Sequence, residues 1–151
     1  MIYNSRRVIV GLIVLVTVLS VGLTACSGNA ASASVTGLAM APMAGMPDNV
    51  KSAPTTVQQA YQFAAANPDV MKQIPCYCGC GSMGHTSNYA CYVQNVDAKG
   101  TITYDSHALG CSICVDITQD TMRLLKQGKT VPVIKSYVDQ AYSKYGASNI
   151  P

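Results

Sequence analysis

The sequence predicts a mostly α fold: a small single domain of about four helices around a Cys-rich loop, with one β-hairpin. Three observations lead there. Apolar residues recur at helical spacing in separate stretches on both sides of residues 76–114; two β-prone runs flank Asp97-Ala98-Lys99-Gly100; and six of the seven cysteines fall between Cys76 and Cys114. A length of 151 residues allows one domain of ordinary size and little more. The expected organisation is residues 1–25 as an export signal, 26–55 as a flexible Met/Ala/Ser/Gly-rich tether and 56–151 as the Cys-rich domain.

Met1 to Arg7 carries Arg6 and Arg7 and no acid. Val8 to Leu23 then runs through Val, Ile, Leu and Gly, with only Thr17 and Ser20 as polar interruptions. This is the charged-then-apolar pattern of a secretory signal. Its apolar stretch is shorter than the roughly 20 residues that span a bilayer, which sets a permanent anchor helix as the weaker reading. The segment closes on Leu23-Thr24-Ala25-Cys26, which resembles the lipobox of bacterial lipoproteins. The resemblance implies cleavage before Cys26, lipidation of Cys26, and a chain anchored to a bacterial membrane on its extracytoplasmic side. Disulfides are permitted in that compartment.

From Ser27 to about Thr55 the chain is rich in Ala, Ser, Gly, Pro and Met and has no aromatic residue, the composition of a tether. Met40, Met43 and Met46 are spaced by three within it. Thioethers are soft ligands that suit Cu(I), so these three form an auxiliary metal-capture site or, on the plainer reading, apolar spacers.

Val57, Ala60, Tyr61 and Ala64 mark the first helix, stopped at Asn67-Pro68. Asn67 is placed to cap a short second helix with Pro68 at its first position, carrying Val70, Met71 and Ile74. Pro75 ends it. Tyr92–Val96 and Thr101–Tyr104 form the hairpin strands. A third helix covers about Cys111–Gln127, with Cys114, Ile117, Thr121, Leu124 and Leu125 on one face and Gly128 as terminator. The fourth starts near Thr130; Val133, Ile134, Tyr137, Val138, Ala141 and Tyr145 form its buried stripe, and Gly146 ends it.

Chemistry concentrates in Pro75-Cys76-Tyr77-Cys78-Gly79-Cys80-Gly81, followed by His85, Cys91, His107 and Cys111-Ser112-Ile113-Cys114. Alternating thiols with interleaved glycines let the backbone curl and point several sulfurs inward. Cys-x-x-Cys at a helix start sets two thiols a turn apart, where free N–H groups and the helix dipole favour thiolate, the ligand form. Cys76, Cys78, Cys80, Cys91, Cys111 and Cys114, with His85 and His107, are the expected metal ligands. They suffice for two tetrahedral Zn sites or for several Cu(I) ions sharing thiolates. Six cysteines in an exported domain also satisfy a framework of three disulfides, and Cys111/Cys114 satisfy a redox pair.

The run Pro75–Cys80, with Gly84-His85, Cys91, Asp105-Ser106-His107-Ala108 and Gly110–Ile117, resembles the family of bacterial lipoproteins named for its PCYCGC motif. The resemblance covers about residues 55–145. It implies lipoprotein identity and the grouping of these cysteines, and supplies no reaction.

A net charge of +3 without a basic stripe excludes a nucleic-acid binder, and no Trp with a single Phe leaves no stacking platform for bases. The acids are seven scattered Asp, with no Glu, no phosphate loop and no nucleophile elbow, so an enzyme reading has little support. The expected function is soft-metal binding, Cu(I) first and Zn second. The membrane reached through the N-terminal lipid and a metal-donor or metal-acceptor protein are the expected partners. The alternatives are a thiol–disulfide oxidoreductase using Cys111/Cys114 and a disulfide-stapled, non-catalytic surface domain.

Overall fold

A computed structural model of the chain describes residues 37–150. The export signal, the lipidation residue Cys26 and the start of the tether lie outside the described residues. Those described form five α-helices and one antiparallel hairpin, joined by 3-10 turns. The helices are α1 (Asp48–Lys51), α2 (Thr55–Ala66), α3 (Pro68–Met71), α4 (Ser112–Lys126) and α5 (Val131–Tyr142); the strands are β1 (Val93–Val96) and β2 (Ile102–Tyr104). No helix among the described residues is long and apolar enough to cross a membrane.

Helix α4 is the central element, packed against α2 on one side and α5 on the other. Its apolar face is the expected one: Cys114, Ile117, Thr121 and Leu124 are buried, and Leu125 packs at the edge. It stops where Gly128 takes φ +74, letting Gly128 N donate to the Leu125 carbonyl and Lys129 N to that of Leu124. Helix α2 buries Ala60, Tyr61, Phe63 and Ala64. Tyr61 meets Tyr92 edge to face, with ring centroids 5.0 Å apart, which ties α2 to the residue before the hairpin. In the hairpin, Asp97 Oδ1 accepts from the N–H groups of Lys99 and Thr101, and Gly100 supplies the positive φ of +83 that closes the turn.

Three expectations are corrected. The tether does not run to residue 55: a 3-10 turn at Met43–Gly45 and helix α1 are ordered, and Met46 and Val50 are 2% and 1% exposed. Ala41 N donates to the Gln62 carbonyl and Gln62 Nε2 donates back to that of Ala41, so this segment straps across α2. Met46 is therefore core and not a capture ligand; Met43 is half-buried against the core, and of the three only Met40 is exposed. Asn67 does not cap α3 with its side chain. Its Nδ2 donates backwards, to the carbonyls of Phe63 and Ala39. The stripe on α5 is narrower than expected: Ile134 and Val138 are fully buried, whereas Val133, Tyr137 and Tyr145 are exposed. Helix α4 and the motif loop cover only one side of α5.

After α5, a 3-10 turn at Ser143–Tyr145 returns the chain toward the cysteine loop. Gly146 passes so close to it that an added Cβ would stand 2.8 Å from the Tyr77 carbonyl oxygen. Truncating Met46 to Ala removes a fully enclosed thioether side chain. It is expected to cost about 2–4 kcal/mol, read as a lower urea midpoint at unchanged slope. A Met46→Ala variant as stable as the parent would return residues 43–50 to a tether.

Candidate metal centre

The motif loop leaves the core at Ile74-Pro75 and is forced into a curl. Gly79 and Gly84 take φ of +84 and +87, bracketing a 3-10 turn at Cys80–Met83. Residues with a Cβ rarely adopt that conformation, which explains why glycine follows Cys78 and precedes His85. His85 N then donates to the Cys80 carbonyl, and Asn88 N to that of Ile74, so the loop folds back on its own start. A second 3-10 turn at Asn88–Cys91 delivers Cys91, a third at His107–Leu109 presents His107, and Cys111 stands at the N-cap of α4 with Cys114 in its first turn.

All eight expected ligands converge. Cys76, Cys80, Cys91 and Cys114 are 0–1% exposed, and Cys78, Cys111, His85 and His107 are half-buried. The sulfurs of Cys76, Cys78 and Cys114 form a triangle with edges of 3.4, 3.4 and 3.5 Å. Cys80 and Cys91 stand 3.6 Å apart, and Cys78 Sγ lies 3.4 Å from His107 Nε2. The two imidazoles meet edge to face at 5.2 Å. Overlapping sets of donor atoms, each within 4.8 Å of one another, are Cys78/His107/Cys111/Cys114, Cys80/His85/Cys91/His107, Cys76/Cys78/Cys80 and Cys76/Cys91/Cys114. Donors bound to one ion at 2.0–2.3 Å must lie within about 4.6 Å of each other, and tetrahedral sulfurs about 3.8 Å. These sets therefore match the reach of an ion and need little adjustment to accept one.

The thiols are free. Contacts of 3.4–3.6 Å are far longer than the roughly 2.05 Å of a disulfide. The six sulfurs stand as one cluster and not as three separated pairs. Nor is Cys111-Cys114 set in a redox fold: a 3-10 turn, not a strand, leads into α4, and the only sheet among the described residues is the two-stranded hairpin.

The cluster's electrostatics follow from its crowding. Hydrogen bonding from Cys114, and then from Cys91, outweighs burial and holds the Cys76 thiol well below the usual thiol range. Burial, then the Cys76 charge, pushes Cys78 and Cys80 up. The hydrogen bond to Cys76 raises Cys114 most of all. A cation among the sulfurs favours thiolate at every position.

Polar groups outside the cluster fix it. Asp105 Oδ1 accepts from the His107 backbone N–H at 2.7 Å, and Oδ2 lies 3.5 Å from His85 Nε2. That leaves His85 Nδ1 buried without a hydrogen-bond partner. An orphaned ring nitrogen whose opposite nitrogen faces a carboxylate is the arrangement of a metal-ligating histidine. The Cys114 carbonyl accepts from the Tyr92 hydroxyl at 2.8 Å and from the Thr118 hydroxyl at 3.0 Å, and Asn88 Nδ2 donates to Thr118 Oγ1. Asn149 clips the motif: Cys76 N donates to its Oδ1 at 2.7 Å, its own N donates to the Cys76 carbonyl, and its Nδ2 donates to Cys80 Sγ at 3.4 Å. Tyr77, in the middle of the motif, ties the loop to α5: its hydroxyl donates to Asp139 Oδ1 at 2.6 Å. Two openings flank the centre. One of about 210 Å³ is lined by Met83, His85 and Asp105; another of about 330 Å³ is lined by Leu109, Cys111 and Asp116.

Fold and site together define a small helical, cysteine-rich protein whose buried Cys/His groups can hold a metal ion. The chain belongs to the PCYCGC family, described as proteins of unknown function with a PCYCGC motif, which it matches over residues 15–150. No curated protein and no solved structure matches it. The sequence reading missed Asn149 and Tyr92 as supports. Asp105 had a faint signal, standing two residues from His107; Asn149 had none.

Replacing Asn149 with Ala removes the side-chain clip on one backbone N–H, that of Cys76, and on the Cys80 sulfur, and leaves the backbone bond from Asn149 N to the Cys76 carbonyl. The expected loss is about 1–3 kcal/mol, with faster alkylation of Cys76 and Cys80 by iodoacetamide. Alkylation rates equal to the parent's would remove Asn149 from the site.

Proposed function

We propose that the protein is a membrane-tethered, extracytoplasmic lipoprotein that binds a soft metal ion, Cu(I), through its six-Cys/two-His cluster. The observation that carries the reading is the convergence of eight donors, drawn from Cys76 to Cys114, into one mostly buried cluster of free thiols. Sulfur supplies six of the eight donors, and thiolate-rich, water-poor sites select soft ions. The half-buried residues Cys78, Cys111, His85 and His107 lie where an ion or a metal-donor or metal-acceptor protein can reach the cluster. In this reading the protein binds and transfers an ion and catalyses no reaction. The lipobox-like Leu23–Cys26 supports the lipid anchor.

One observation favours Zn as the second reading. The four-donor sets have Cys3His and Cys2His2 composition, which tetrahedral Zn takes in structural sites.

Elemental analysis and a thiol count on the full chain, purified anaerobically without chelators, separate these. Copper at one or more equivalents, reduced in Cys78→Ser, is the expected result; zinc in its place supports the second reading. Metal-free protein with six reactive thiols sinks both. Cys26→Ser is expected to move the protein from the membrane fraction to the soluble one, and its retention on membranes would overturn the lipid anchor.

A further inference from the structure

We infer that the cluster is a two-ion centre, one ion held by Cys78, His107, Cys111 and Cys114 and the other by Cys80, His85 and Cys91, with the Cys76 thiolate bridging them. This rests on the soft-metal reading and goes beyond it in assigning the number of ions and the role of one sulfur.

Coordination number sets the count. A tetrahedral site takes four ligands, and two four-donor sets stand together here. The two four-donor sets share a single member, His107. A neutral imidazole gives one ion one nitrogen, and His107 Nε2 lies 3.4 Å from Cys78 Sγ, which places it with Cys78, Cys111 and Cys114. The other ion keeps Cys80, Cys91 and His85, whose buried Nδ1 has no other partner, and is one ligand short.

Cys76 is the donor that belongs to neither four-donor set, and its neighbours identify what it does. In one three-donor set it stands with Cys78 and Cys80; in the other it stands with Cys114 and Cys91. Each time it joins one sulfur from the first ion's ligands to one from the second's. It sits 3.4 Å from both Cys78 and Cys114 and is fully buried, with its backbone pinned on both sides by Asn149. A thiolate has lone pairs for two ions; a sulfur fixed at the seam between two ligand sets fills the short site and touches the full one. Binding needs no oxidant: each thiol that becomes a ligand gives its proton to solvent as the ion arrives.

Native mass spectrometry of the full chain in detergent, titrated anaerobically with Cu(I), tests this. The parent is expected to saturate at two ions, with the one-ion form scarce at half saturation, because the first ion fixes in place the sulfur that the second needs. Cys76→Ser is expected to accumulate the one-ion form and to weaken the second ion at least tenfold. Saturation of the parent at any number other than two, or a Cys76→Ser species distribution equal to the parent's, overturns the proposal. Should Cys76→Ser fail to fold, X-ray absorption on the loaded parent decides: a metal–metal scattering shell is expected, and two bound ions without one overturn the bridge. A parent that takes up no metal overturns the soft-metal reading with it, whereas a one-ion parent overturns the two-ion centre alone.

Discussion

Sulfurs held in contact inside a dry protein cannot all carry charge, and the rest of this domain is arranged around that constraint. With no cation among them, each charge opposes the next: hydrogen bonding from the Cys114 thiol lowers Cys76, while burial and then a charge on Cys76 raise Cys78 and Cys80. The titration behaviour belongs to the group rather than to any one cysteine. A cation inverts the balance, because the contact that makes two thiolates repel also places both within reach of the same ion.

Holding the sulfurs together without covalent bonds needs a rigid surround, and the polar groups that supply it point at the backbone more than at the sulfurs. Tyr92 and Thr118 grip the Cys114 carbonyl, Asp105 holds the His107 N–H, and Tyr61 donates to the Asp105 carbonyl at 2.7 Å. The last of these links runs from the core of α2 to the histidine side of the site. The core and the centre are continuous: Cys76, Cys80, Cys91 and Cys114 pack in the same buried cluster as Tyr61, Phe63 and Ile117. Substitutions in α2 and α4 therefore bear on the geometry of the sulfurs.

What could be read from the sequence divides along the range of the interactions. Helices α2 and α4 were legible because their apolar periodicity and stop signals, Asn67-Pro68 and Gly128, are local. The hairpin was legible from Asp97 to Gly100, and the eight donors from their density in 39 positions of chain. Met46 and Val50 were not, because a segment rich in Ala, Pro and Gly becomes core only where α2 offers it a surface and hydrogen bonds across it. The outer face of α5 differs for the converse reason: Val133 and Tyr137 have core-like side chains but stay exposed, and Tyr137 meets only the polar Asp120 and Arg123 of α4 at the surface. Asn149 is the extreme case, a residue of ordinary type and surroundings whose contact with Cys76 spans 73 positions.

That separation bears on when the centre can exist. The thiols from Cys76 to Cys114 are synthesised well before Asn149, and α5 and Gly146, which close against Tyr77, also come later. A growing chain emerging from the ribosome carries all six thiols for many residues without the clip that orders Cys76. During that interval they behave as ordinary exposed cysteines, open to oxidation and to competing ligands. Assembly of the centre is thus a late event in the life of each chain, coupled to completion of the fold rather than to appearance of the motif.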